Sequence, residues 1–185
     1  MTAAIAALGA AAALAATSGT IHISDAKDDV AGALDLQRAT LKRAADGRLR
    51  AVVTFTDKVS PRMMLASSGP PGSVCLKIWT DDDADPQATV PDRLVCVTAR
   101  SKDELRASVL EQRSAGLPTH VASASVGRNK SGRSLVVRFA QSSLGRPELI
   151  RFAIEATRRG CPRVSCVDQV PDAGAVRRFR LRSTR

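Results

Sequence analysis

The chain has 185 residues, with 28 Lys or Arg against 18 Asp or Glu, and a formal charge of +10. With 44% apolar and 25% charged side chains it has the material for one domain with a true core, which excludes a chain disordered throughout. Tyr is absent, and one Trp with four Phe leaves little for a function that relies on stacked aromatic platforms.

Residues 1–19 (MTAAIAALGAAAALAATSG) carry no charged side chain. This Ala- and Leu-rich run, with a small-residue pattern at Ala13-Leu14-Ala15, has the form of a secretory signal and its cleavage region, although no Lys or Arg precedes it. The expected organisation is a leader over residues 1–19, a single domain over 20–185, and a secreted or cell-envelope location. Beyond the leader no stretch approaches the roughly 18 apolar residues of a membrane span.

Short alternating runs follow one another after that. Residues 49–56 place Leu49, Ala51, Val53 and Phe55 on one face, as a half-buried strand requires. After a Ser/Gly/Pro-rich loop at 67–72, Val74, Leu76 and Ile78 alternate against Cys75 and Lys77, and further on Val95 and Val97 alternate against Cys96. If those two strands are antiparallel neighbours with apolar faces inward, both sulfurs meet on the outer side. A bond there closes a loop of about 20 residues and contributes on the order of 3 kcal/mol. Residues 101–104 (SKDE) match a capping box, yet Leu105, Ala107 and Val109 alternate, and a strand is the favoured reading. Residues 120–126 and 134–139 form strands around a hairpin loop, GRNKSG. Residues 147–160 start and stop like a helix, but Ile150, Phe152 and Ile154 alternate against Arg151 and Glu155, and a strand is again predicted. In the tail, Phe179 and Leu181 point inward and Arg178, Arg180 and Arg182 outward. Roughly nine or ten strands with no βαβ rhythm predict an all-β fold, an antiparallel β-sandwich of jelly-roll type.

The cysteines are Cys75, Cys96, Cys161 and Cys166. Zinc knuckles bring their ligands in close pairs, whereas here only Cys161 and Cys166 are near one another. An even count in an exported chain favours two disulfides: Cys75 with Cys96, and Cys161 with Cys166 clipping a short turn.

Asp25, Asp28 and Asp29 in an acidic turn, followed by the step Gly32-Ala33-Leu34-Asp35-Leu36, resemble the opening of certain secreted bacterial sandwich modules loosely similar to DOMON and family-9 carbohydrate-binding domains. The run 39–44, the Asp46-Gly47 turn and the strand over 49–56 continue that pattern, and residues 166–174 (CVDQVPDAG) before a last strand are similar to how such modules finish. The resemblance implies a secreted sandwich. The aromatic platform on which such modules hold sugar is missing here, and Lys27 stands where they often carry Gly.

Asp25, Asp28, Asp29 and Asp35 are candidate ligands for Ca2+, which takes six to eight oxygens, and Asp168 or Asp172 joins them if the last strand lies beside the first. Acidic side chains at strand ends also serve simply as turn formers. A second acidic run has Asp81, Asp83, Asp85 and Asp92 at positions 1, 3, 5 and 12 of a calcium loop. Pro86 replaces its turn glycine and the last ligand is not Glu, so an EF-hand is rejected. Catalytic motifs are lacking: His22 and His120 are the only histidines, and no nucleophile elbow, zinc-binding helix motif or phosphate loop occurs.

Charge is placed unevenly. Residues 1–127 hold 14 basic and 14 acidic side chains, and residues 128–185 hold 14 basic and 4 acidic. Arg158, Arg159, Arg163, Arg177, Arg178, Arg180, Arg182 and Arg185 crowd the last stretch. The guanidinium fork suits phosphate and carboxylate, and the candidate anion-binding residues are Arg178, Arg180 and Arg182. The functional expectation is an exported, non-catalytic module with a binding or structural role at the cell envelope and an anionic envelope polymer as partner. With so few aromatics and no recognition motif, nucleic acid is not expected. The alternative is a secreted hydrolase with a site at a sandwich edge that uses His120.

Overall fold

The structure is a computed structural model, and it describes residues 19–25, 34–44, 46–66, 68–81, 85–86, 89–112, 116–145, 147–160, 166–172 and 175–181. The strands are β1 (Thr20–Ser24), β2 (Leu36–Arg43), β3 (Arg48–Phe55), β4 (Ser73–Trp79), β5 (Arg93–Ala99), β6 (Leu105–Glu111), β7 (Thr119–Arg128), β8 (Ser134–Ala140), β9 (Leu149–Thr157), β10 (Val167–Val170) and β11 (Arg177–Arg180). Single turns of 3-10 helix occur at Pro61–Met63 and Gln141–Leu144, and there is no α-helix among the described residues. The all-β antiparallel expectation holds.

The side chains read as inward-facing from their alternation are the core. Leu49, Ala51, Val53 and Phe55 of β3, Val74, Leu76 and Ile78 of β4, Val95 and Val97 of β5, and Phe179 of β11 are all buried, with Leu181 just beyond. Both ambiguous stretches are strands. At residues 101–104 the capping chemistry is present but serves a hairpin: Ser101 Oγ accepts from the N–H groups of Asp103 (3.3 Å) and Glu104 (3.2 Å), while Arg100 N–H bonds Glu104 C=O (2.8 Å). A short hydroxyl side chain satisfies turn amides as readily as helix amides, and the alternation of Leu105, Ala107 and Val109 decides the outcome.

The strands lie in the order β1-β2-β3-β8-β7-β6-β5-β4-β9-β10, with β11 also on β9. The two layers are parts of one continuous sheet. β7 makes the corner: its residues 119–124 pair with β6, and its residues 125–128 pair with β8. At the opposite side β10 reaches the start of β2, where Leu36 N–H donates to Asp168 Oδ2 at 2.5 Å, and the sheet is nearly closed into a barrel-like shape. A register shift between Leu36 and Arg38 turns both Leu36 and Ala39 inward, as a bulge does by adding one residue to a strand.

Two turns need glycine. Gly132 in the β7–β8 hairpin has φ +74°, and the loop is closed by Asn129 Oδ1, which accepts from Ser134 N–H (3.1 Å) and Ser131 Oγ (3.0 Å). Gly72, at the end of the β3–β4 crossover, packs so closely that a Cβ there would stand 3.0 Å from Thr157 C=O and 3.1 Å from Met64 Cα.

Cys75 and Cys96 are directly opposed in the β4–β5 ladder and form a disulfide, with Cα atoms 4.1 Å apart. Cys166 is also disulfide-bonded, and Cys161 lies outside the described residues. The Cys75–Cys96 bond spans 21 residues of sequence, and restricting the unfolded chain over such a loop is worth about 3 kcal/mol. Cys75→Ala with Cys96→Ala is therefore expected to lower unfolding free energy by about that amount, read from urea midpoints of the oxidised proteins. A loss below about 1 kcal/mol would place the stability elsewhere.

Candidate anion-binding face

The strands of the layer formed by β1, β2, β3, β8 and the end of β7 hold seven Lys or Arg and no Asp or Glu. Because Leu41, Ala51 and Val137 alternate inward, Lys42, Arg50 and Arg138 project from the outer face. Register then aligns them: Lys42 opposes Arg50, Arg50 opposes Arg138, and Arg138 opposes Ser125. Strands about 4.8 Å apart put Lys42 and Arg138 about 10 Å from one another with Arg50 between them, so that each neighbouring pair, though not the outer two, lies within the roughly 8 Å screening length of physiological salt.

Arg38 lies on the same face, exposed, and Arg48 stands two residues before Arg50. Among the described residues, Arg38, Lys42, Arg50 and Arg138 have no acidic partner; Arg48 has a loose one, with Nε 3.7 Å from Asp46 Oδ2 and both side chains about 60% exposed. The opposite layer differs. There Lys77 pairs with Glu155 (3.0 Å) and Arg93 with Glu111 (2.9 Å), each partly buried. Like charges directly opposite in a sheet destabilise it, so the row of three is a cost that the packing does not require.

Two concavities flank this face. One, of about 320 Å³, is lined by Arg48, Ser123, Ser125, Arg138 and Ala140 together with Ala124 and Phe139. The other, of about 540 Å³, lies at the β7–β8 hairpin and is lined by Lys58, Arg128, Lys130, Asn129, Ser131 and Gly132. About 20 Å of β8 separates them, at ~3.4 Å per residue.

The residues expected to bind anions lie elsewhere. Arg178 and Arg180 are exposed on β11, opposite Arg151 and Leu149, and Arg182 lies outside the described residues. Arg159, counted with the basic tail in the sequence, donates from Nη1 to the carbonyls of Arg62 (2.8 Å) and Leu65 (2.6 Å). It ties the end of β9 to the β3–β4 crossover. The row of Lys42, Arg50 and Arg138 was missed because two of its members lie in the stretch whose charges balance along the chain. The legible signal was the absence of acidic residues from strands β2, β3 and β8.

The acidic candidates are partly brought together. Asp35 and Asp168 are both buried and adjoin the seam through the Leu36 N–H bond, and Asp25 N–H bonds Gln37 C=O one residue along (3.1 Å). Asp28 and Asp29 lie outside the described residues. Among the described residues no three metal-ligating side chains gather. In the second acidic run, Asp92 Oδ2 accepts from Thr80 N–H (2.7 Å) and Oγ1 (2.9 Å), which closes the β4–β5 connection; Asp82 and Asp83 lie outside the described residues. His22 Nδ1 is 3.0 Å from Thr40 Oγ1 on the outer face, and His120 is exposed on β7 opposite Leu110.

In comparisons with protein-family models, curated proteins and solved structures, nothing matches this chain.

Proposed function

We propose that this protein is an exported, non-catalytic all-β module that holds an anionic envelope polymer on the outer face of β2, β3 and β8. The observation that carries this reading is the register row Lys42–Arg50–Arg138, three opposed cations with no acidic partner among the described residues. A polymer with a negative group every few ångströms relieves that repulsion at several points at once and releases its counterions in doing so. Export is supported by the Cys75–Cys96 disulfide, a bond that persists in oxidising compartments, and by the Ala- and Leu-rich run at residues 1–19. The outer-facing residues of these strands are cations, hydroxyls, Gln37, small residues and Val, with no aromatic ring among them, so charge and hydrogen bonding carry the binding and base stacking does not.

The test is the salt dependence of affinity for fluorescein-labelled inorganic polyphosphate, measured by anisotropy on the full chain. With four cations in contact, the row of three and Arg48 beside it, raising salt from 50 to 200 mM is expected to weaken binding roughly 50- to 150-fold. Affinity that stays constant over that range, or no binding at 50 mM, overturns the reading.

A further inference from the structure

The groove beside the cationic row exists because β7 serves two layers. Its residues 125–128 pair with β8, but from Ser125 back to Thr119 it follows β6. β8 meanwhile continues to Ala140, held on its other side by β3, where Ala140 opposes Arg48. No ladder joins β7 and β8 beyond the Ser125–Arg138 pair among the described residues, and the diverging strands leave a V-shaped opening of about 320 Å³. Such a volume is at the small end of ligand sites, enough for one oxyanion and the unit that bears it.

The walls carry hydrogen-bond donors over an apolar base. Ser123 and Ser125, both exposed, come from β7, Arg138 comes from β8 and Arg48 from β3. Ala140, opposite Arg48 and two residues along β8 from Arg138, lines the groove with only a methyl group and so takes up little of its volume. Ala124 and Phe139, which alternate inward, line the base. Among the described residues no acidic side chain lines the groove, and the contact between Arg48 and Asp46 is long and solvated, of a kind that contributes little.

Each guanidinium presents a planar fork that takes two oxygens of one group, and hydroxyls add single donors. Donors that converge from both sides of a V match a group with oxygens pointing in several directions. A tetrahedral oxyanion has that shape; a planar carboxylate satisfies one fork and leaves the opposite wall without a partner.

We propose that this groove seats one phosphate or sulfate group of the polymer, held by Arg48 and Arg138 and by the hydroxyls of Ser123 and Ser125, while Arg50 and Lys42 take the adjoining anionic groups. The inference rests on the polyanion reading above and adds a selection to it: recognition depends on the form of the anion as well as on its charge.

The experiment compares polyphosphate, dextran sulfate and poly-glutamate of matched charge per length, with single-stranded DNA as a fourth ligand, on the full-length chain at 100 mM salt. Polyphosphate or dextran sulfate is expected to bind at least tenfold more tightly than poly-glutamate, and whichever of the two is tighter identifies the phosphoryl or the sulfuryl source. Ala140→Leu changes no charge and fills the groove. It is expected to weaken the preferred polymer about tenfold and to leave poly-glutamate unchanged. Ser123→Ala with Ser125→Ala supplies the same readout, at about fivefold, if the leucine variant melts early. Equal affinity for all three polymers, with wild-type binding by both variants, overturns the seat and leaves the polyanion reading standing. No binding of any polymer overturns both, and tighter binding of single-stranded DNA than of polyphosphate overturns the assignment of the polymer.

Discussion

Arg50→Glu is expected to weaken polyphosphate binding about 30- to 100-fold at 50 mM salt and, in the same protein, to raise stability by about 1 kcal/mol. Both effects have one cause. Arg50 stands between Lys42 and Arg138 in the cross-strand row, so glutamate there turns two like-charged neighbours into two opposed ion pairs, each worth about 0.2–1 kcal/mol in a sheet. The two cations that the polymer would contact are then engaged with the new carboxylate. Anisotropy with labelled polyphosphate and a urea titration measure the two quantities. Stability that falls while affinity is retained would mean that Arg50 serves packing. Arg50→Gln separates the contributions: it removes a charge without adding one, and is expected to weaken binding about three- to tenfold and to raise the urea midpoint by less than the glutamate variant does.

Phe152→Ala is expected to cost about 4 kcal/mol, within the 3–5 kcal/mol typical of a buried Phe. Phe152 is fully buried in the middle of β9 and meets Phe179 edge to face, with ring centroids 6.5 Å apart and planes at 89°. β9 is the strand that carries β4 on one side and both β10 and β11 on the other. A cavity at Phe152 therefore loosens the part of the sheet that brings Asp168 to the seam at Leu36. Against a total stability of about 5–15 kcal/mol, such a loss shifts the urea midpoint steeply. Phe152→Leu keeps most of the volume and should cost under about 1.5 kcal/mol. If the alanine variant cost no more than the leucine one, Phe152 would not be buried in the core against Phe179 as described.

Most of the fold was legible because it is written in local alternation. The inward and outward faces of β3, β4, β5 and β11 follow from a period of two, and so did the meeting of Cys75 and Cys96 once β4 and β5 were taken as neighbours. The hairpin at residues 129–132 announced itself through Asn and Gly. Less legible was β1, whose five residues sit directly after a stretch read as a leader, and the continuity of the two layers. That continuity depends on β7 changing partners between Ala124 and Ser125, and no residue type marks such a change.

The site divides along the same line. Local chemistry placed the basic residues outward, but the distribution of charge along the chain pointed to Arg178, Arg180 and Arg182 and away from Lys42 and Arg50. Alternation alone determined that this protein is an antiparallel all-β fold, with Cys75 and Cys96 on its outer side and a surplus of arginine at its surface. The tertiary structure decided which cations stand together, because register sums charge across strands that are remote in sequence. It set Arg138 beside Arg50 and Lys42, drew Arg159 away to hold the crossover carbonyls of Arg62 and Leu65, and opened a groove at Ser123 and Ser125 where one strand leaves another.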